Sequence, residues 1–206
     1  PVAGTTTELG DTDVSIYALA WDPVAGTLYG STGGGLATID PWTGETTMIG
    51  EGLGSCQAMA WVDGQLLGVD FSSSATDLRI IDTSTGSYSG TVGPMGYGNI
   101  RGLGYDEDAG RLWATQIEDG SSHLIELDPV TGAGSYVGDM GIAGMAEIDV
   151  HPDLGTMWAV HDVGYPWYDD NLVALNPITG MGTEESWRMA EDGMRGMVIM
   201  QRTTPE

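Results

Sequence analysis

The sequence contains no lysine: its six basic residues are all arginine, set against 30 aspartates and glutamates, for a formal charge of −24. Schiff-base chemistry on a lysine is thereby excluded. A field of that sign repels nucleic acid and anionic lipid, so neither nucleic acid nor a membrane is expected as a partner. A single cysteine, Cys56, rules out an intramolecular disulfide framework and a cysteine-rich metal site. No apolar run approaches the roughly 18–20 residues of a membrane-crossing helix. Beginning at Pro1 without Met or a charged-then-apolar leader, the sequence reads as a processed form.

What is abundant is acid and glycine. The acidity fits three situations: a surface kept soluble at high salt, a calcium-rich surface, or attraction to a cationic partner. The 33 glycines in 206 residues follow no Gly-X-Y period, so they point to many tight turns rather than to collagen.

The turns recur. "IDPWTG" (39–44), "IDTSTG" (81–86), "LDPVTG" (127–132) and "LNPITG" (175–180) each close one unit. Gly44, Gly86, Gly132 and Gly180 are 42, 46 and 48 residues apart, and Gly4 lies 40 before the first. A start signal aligns as "SIYAL" (15–19), "SCQAM" (55–59), "NIRGL" (99–103), "GMAEI" (144–148) and "GMRGM" (193–197). Between these marks lie short segments rich in Val, Ile, Tyr, Trp and Thr, which is strand-and-turn chemistry, and no window carries helical periodicity. Proline presets φ at the second turn position, and glycine takes a left-handed conformation before the next strand. Each unit therefore reads as four strands, A to D: "YALAW", "TLYGS", "LATID" and "TTMIG" in the first.

Four-stranded units of this length predict an all-β protein, a β-propeller of antiparallel blades. A stacked β-solenoid is the weaker alternative, because its coils are normally shorter and more regular. The pattern resembles NHL-like and quinoprotein-like propeller repeats, in which an apolar inner strand leads to a Tyr or Trp strand and then an x-D-P-x-T-G hairpin. That resemblance implies architecture only, since propellers host many unrelated functions.

One domain over 1–206 is expected, with units at about 15–50, 55–93, 99–138 and 144–188. Left over are a D-like strand at 5–10 and an A-like strand at 194–200. These predict a fifth, incomplete blade closing the ring from both termini. The alternatives are a fragment of a larger propeller, or a ring completed by a partner chain, with self-association through the incomplete blade.

In such a meander the start of A and the B–C loop share one face. The A–B and C–D turns are short and alike, whereas the B–C loops differ sharply, and variable loops on a repeated scaffold are where binding resides. The start-of-A column holds Tyr17, Gln57, Arg101, Ala146 and Arg195. Two arginines there suit an anionic or hydroxyl-rich ligand. They also suit ion pairing with Glu147 and Asp149, which stand where other units place Ala or Gly. The end-of-B column is Thr32, Asp70, Gln116 and His161, and His161 leads into a loop bearing Trp167 and Tyr168, whose rings beside carboxylates suit sugar recognition. Trp21, Trp61, Trp113 and Trp158 recur at repeat positions and are expected in the core.

No cofactor is expected. The Asp-rich stretches "DTD" (11–13), "DED" (106–108) and "YDDN" (168–171) offer oxygen ligands that suit calcium, without EF-hand spacing. No catalytic motif is present. The expected function is a non-enzymatic extracellular or periplasmic binding module for a small-molecule or glycan ligand, with Tyr17, Gln57, Arg101, Arg195, His161, Trp167 and Tyr168 as its site. The alternatives are a small propeller lyase or hydrolase at the same mouth, and a structural subunit of a larger assembly.

Overall fold

The computed structural model describes residues 10–152, 154–161, 171–188 and 197–200. They form sixteen strands in four antiparallel sheets of four, each a simple up-and-down meander, arranged as the blades of a propeller. Blade 1 is β1 (Ala18–Asp22), β2 (Thr27–Ser31), β3 (Gly35–Ile39) and β4 (Thr46–Glu51). Blade 2 is β5 (Cys56–Val62), β6 (Gln65–Asp70), β7 (Asp77–Asp82) and β8 (Ser87–Pro94). Blade 3 is β9 (Ile100–Asp106), β10 (Arg111–Glu118), β11 (Ser121–Leu127) and β12 (Gly134–Asp139). Blade 4 is β13 (Met145–Val150), β14 (Met157–His161), β15 (Asn171–Leu175) and β16 (Gly182–Arg188).

The repeated turn works as its composition predicts. Asp40 Oδ1 accepts the amides of Trp42 and Thr43 at 2.8 and 3.1 Å, Asp128 those of Val130 and Thr131 at 2.8 and 3.1 Å, and Asn176 those of Ile178 and Thr179 at 2.8 and 3.2 Å. The closing glycines Gly44, Gly86, Gly132 and Gly180 sit at φ of +75°, +66°, +77° and +78°, where a side chain is strained. Those amides hold the Asp128 carboxyl below its ordinary range.

The apolar core lies between blades rather than within one. Ala18, Ala20 and Leu36 meet Met59 and Leu66 across the first joint. Val69 and Leu78 meet Leu103 and Leu112 across the second, and Trp113 and Leu124 meet Ile148 and Val173 across the third. Fully burying a Leu, Ile, Val or Met side chain stabilises by roughly 1.5–3 kcal/mol.

Two kinds of close approach set the spacing of these joints. Near the axis, β1 packs on β5, β5 on β9 and β9 on β13. The residues of each inner strand that face the next are small: Ala18 and Ala20, Ala58 and Ala60, then Gly102 and Gly104. A Cβ at Gly102 would stand 2.7 Å from the Ala146 carbonyl oxygen and 2.7 Å from Glu147 Cα. At the rim, the next-to-last residue of each of the first three D strands is a glycine that lies under the Thr-Gly turn of the following blade: Gly50 under Thr85, Gly93 under Thr131 and Gly138 under Thr179. Gly10 lies under Thr43 of blade 1 in the same way.

Most of the expected closing strands, 5–10 and 194–200, falls outside the described residues. Of their described parts, neither Gly10 nor residues 197–200 is paired in a sheet. Ile199 instead donates its amide to Asp149 Oδ2 at 2.6 Å, because blade 4 carries a carboxylate where the other blades present a small side chain. Among the described residues no helix is long and apolar enough to cross a membrane.

The rim joints make a direct test. Gly93→Ala should lower stability in urea by about 1–3 kcal/mol, because its Cβ would meet a backbone carbonyl that cannot move aside. Gly10→Ala should cost a similar amount. Gly34→Ala, where nothing lies within 4 Å, should stay within about 0.5 kcal/mol of the parent. A neutral Gly10→Ala beside a damaging Gly93→Ala would show that residue 10 is not held against blade 1.

Candidate functional site

The start-of-A mouth is assembled by the inner strands. Gln57 and Arg101 are the second residues of β5 and β9, and Tyr17 immediately precedes β1, its amide bonded to the Ser31 carbonyl at 2.9 Å. Arg101 Nη1 donates to Gln57 Oε1 at 3.0 Å, and its guanidinium carbon lies 4.8 Å from the ring centroid of Phe71. Phe71 opens the B–C loop of blade 2 and is 43% exposed, so the cation is laid against a ring at the edge of the mouth. The Tyr17 ring lies beside Gly33 in the blade 1 B–C loop. His161 ends β14, in register with Met145 and Asn171. The structure thus brings Gln57 and Arg101 into contact and sets Tyr17 and His161 at strand ends of the same mouth. Arg195, Trp167 and Tyr168 lie outside the described residues.

The rest of the end-of-B column is taken up internally. Asp70 accepts Arg79 Nη1 at 3.0 Å and the Tyr88 hydroxyl at 2.8 Å, while Arg79 stacks 3.5 Å from the Tyr88 ring centroid. Burial, the neighbouring thiol and that bond to Asp70 push the Tyr88 phenol up, so it stays a donor. Gln116 Nε2 bonds the Gly98 carbonyl at 3.2 Å. Burial drives the Cys56 thiol up to about 12, leaving it neutral and inert as a nucleophile. Among the described residues no group of three or more His, Cys, Asp or Glu is placed to hold a metal ion.

The opposite mouth holds a cavity of about 360 Å³ on the axis. Its wall includes Leu19 and Trp21 of β1, Met59 and Trp61 of β5, Tyr105 of β9, Asp149 of β13 and the segment 197–199. The sequence reading assigned the recurrent tryptophans to the core. Trp113, in strand B, is buried there, but Trp21 and Trp61 end inner strands and are only half-buried, one face of Trp61 stacking on Tyr29 at 5.9 Å. Their position at the end of strand A, rather than their recurrence, was the signal for a cavity wall.

Glu147 and Asp149 contradict the pairing expected of Arg101. Glu147 is 1% exposed and neither carboxyl oxygen has a hydrogen-bond partner, while Arg101 reaches Gln57 instead. Burial first, and the Asp149 charge second, push Glu147 well above the carboxylate range. Asp149 is pushed up to about 7 by burial, opposed by the amides of Ile199 and Val150. The folded state therefore holds protons that the unfolded chain releases at lower pH. Stability from these groups is fully present below their unfolded pKa values near 4 and falls as pH rises towards and past 7. Glu147→Gln, neutral at every pH, should come closest to the parent at pH 4 and exceed its melting temperature by a growing margin up to pH 8. An unchanged difference across that range would contradict the assignment.

No family model matches the sequence, and no curated protein sequence matches it. Solved structures are similar to it in fold. They include the Kuenenia stuttgartiensis hydrazine synthase (16% identity, TM-score 0.58, covering 92% of this chain and 53% of that one). The nidogen/laminin complex matches at 16% identity and TM-score 0.61, covering 81% of this chain and 62% of that one. An auxiliary nutrient binding protein from Bacteroides ovatus matches at 16% identity and TM-score 0.58, covering 84% and 41%. This chain thus spans about half the length of the proteins it matches. At such identities the likeness shows the fold, which is that of a β-propeller.

Proposed function

We propose that this propeller is a non-enzymatic binding module, working in an extracellular or periplasmic setting. Its ligand is a small hydroxylated and anionic molecule, such as an acidic sugar, held at the mouth where Tyr17, Gln57 and Arg101 stand. The observation that carries this reading is the braced guanidinium of Arg101, oriented by Gln57 and backed by Phe71. Six arginines are all the positive charge in a chain of −24, and one of them stands at the axial mouth beside the variable loops. A guanidinium already oriented by its neighbours brings its positive charge to an anionic ligand without first having to be immobilised. His161, Arg195, Trp167 and Tyr168 complete the proposed site, the rings stacking on the apolar face of a sugar. The fold likeness to nutrient binding proteins is compatible with a binding role.

Thermal-shift and calorimetric titration with uronic-acid and neutral oligosaccharides tests this reading. Acidic sugars should stabilise the protein, and Arg101→Ala should weaken binding by about 1.5–3 kcal/mol, the range for a hydrogen bond to a charged group. Arg101→Lys should restore little, since an ammonium cannot be held between Gln57 and the Phe71 ring as the planar guanidinium is. Ligand binding untouched by Arg101→Ala, or no binding by any acidic sugar, would overturn the proposal.

A further inference from the structure

The cavity at the other mouth differs in chemistry from the site just described. Apart from Tyr105, its ionisable lining residues among the described ones are all acidic: Asp106, Glu107, Asp108 and Asp149. Among the described residues no arginine or histidine lines it. The remaining wall is aromatic and aliphatic, with the indoles of Trp21 and Trp61 and the ring of Tyr105. At about 360 Å³ it falls at the small end of ligand-pocket volumes.

We infer that this axial cavity binds a small organic cation, an alkylated or quaternary ammonium, between the aromatic wall and the acidic rim. Ring faces attract a weakly hydrated cation, and the gain grows where the site excludes water. The carboxylates supply the countercharge without needing to touch the ligand, and a chain of −24 concentrates cations at its mouths.

A bare divalent ion fits less well. Asp149 already gives its two oxygens to the amides of Ile199 at 2.6 Å and Val150 at 2.9 Å. Asp106 Oδ1 accepts the Ala109 amide at 3.0 Å. Among the described residues no three acids are grouped to hold a metal ion, whereas calcium demands six or more oxygen ligands. An alkylammonium makes no such demand. The inference is independent of the Arg101 mouth, which lies at the opposite end of the axis.

The test compares choline with 3,3-dimethyl-1-butanol, its uncharged carbon isostere, by intrinsic tryptophan fluorescence and calorimetry at low ionic strength. Choline should bind at least about tenfold more tightly than the isostere, a difference of about 1.4 kcal/mol, and should weaken as salt is added. Trp21→Leu should abolish the difference between the two probes. Because that indole also covers the turn at Gly26, a second variant, Glu107→Gln with Asp108→Asn, changes only exposed turn residues and should weaken choline about threefold or more. Equal affinity for choline and the isostere would mean an apolar pocket and overturn the inference. So would calcium binding that displaces choline and survives Trp21→Leu, or the absence of choline binding.

Discussion

The structure depends on how closely one blade's backbone approaches the next. At the axis, Gly102 and Gly104 leave β9 almost in backbone contact with β13, and Ala18, Ala20, Ala58 and Ala60 do the same work at the earlier joints. At the rim, a D-strand glycine lies under a Thr-Gly turn at each joint. Side chains of ordinary size fill the space between, where Leu, Met and Ile pack from both sides. This wedge of small, large and small again sets the angle between blades. It thereby brings the ends of four inner strands to two narrow mouths.

Blade 4 breaks the pattern, and the break has chemical consequences. Glu147 and Asp149 occupy the small-residue positions, facing away from blade 3. A carboxylate buried without a counterion is costly, and these two meet the cost by keeping their protons to higher pH. Asp149 also caps the amide of Ile199, which brings the C-terminal segment to the wall of the axial cavity. Packing irregularity, protonation and the shape of the mouth opposite Arg101 are thus one problem seen at three levels.

Much of this was legible in the sequence, for identifiable reasons. The Asp-Pro-x-Thr-Gly turn specifies its own hydrogen bonds and its own left-handed glycine, so strand boundaries followed within a residue or two. Repeat alignment then placed Gln57 and Arg101 in one column, and columns near an axis become contacts. Alignment does not say which neighbour a long side chain chooses, so Arg101 was matched with acids rather than with Gln57. Nor does recurrence separate a core tryptophan such as Trp113 from a wall tryptophan such as Trp21, because both repeat with the same period. The axial cavity stayed hidden for that reason: it is made by the far ends of inner strands that read as ordinary core.

The two mouths have opposite character, one braced with a guanidinium and the other ringed with carboxyls, on a scaffold whose geometry rests on small residues at the axis. Unfolding of Gly102→Val in urea tests that geometry most directly. The account predicts a loss on the order of 2–4 kcal/mol, since any Cβ at this position would lie 2.7 Å from β13 backbone. Stability equal to that of the parent would show that blades 3 and 4 are not held at backbone contact, and would contradict the account at its base.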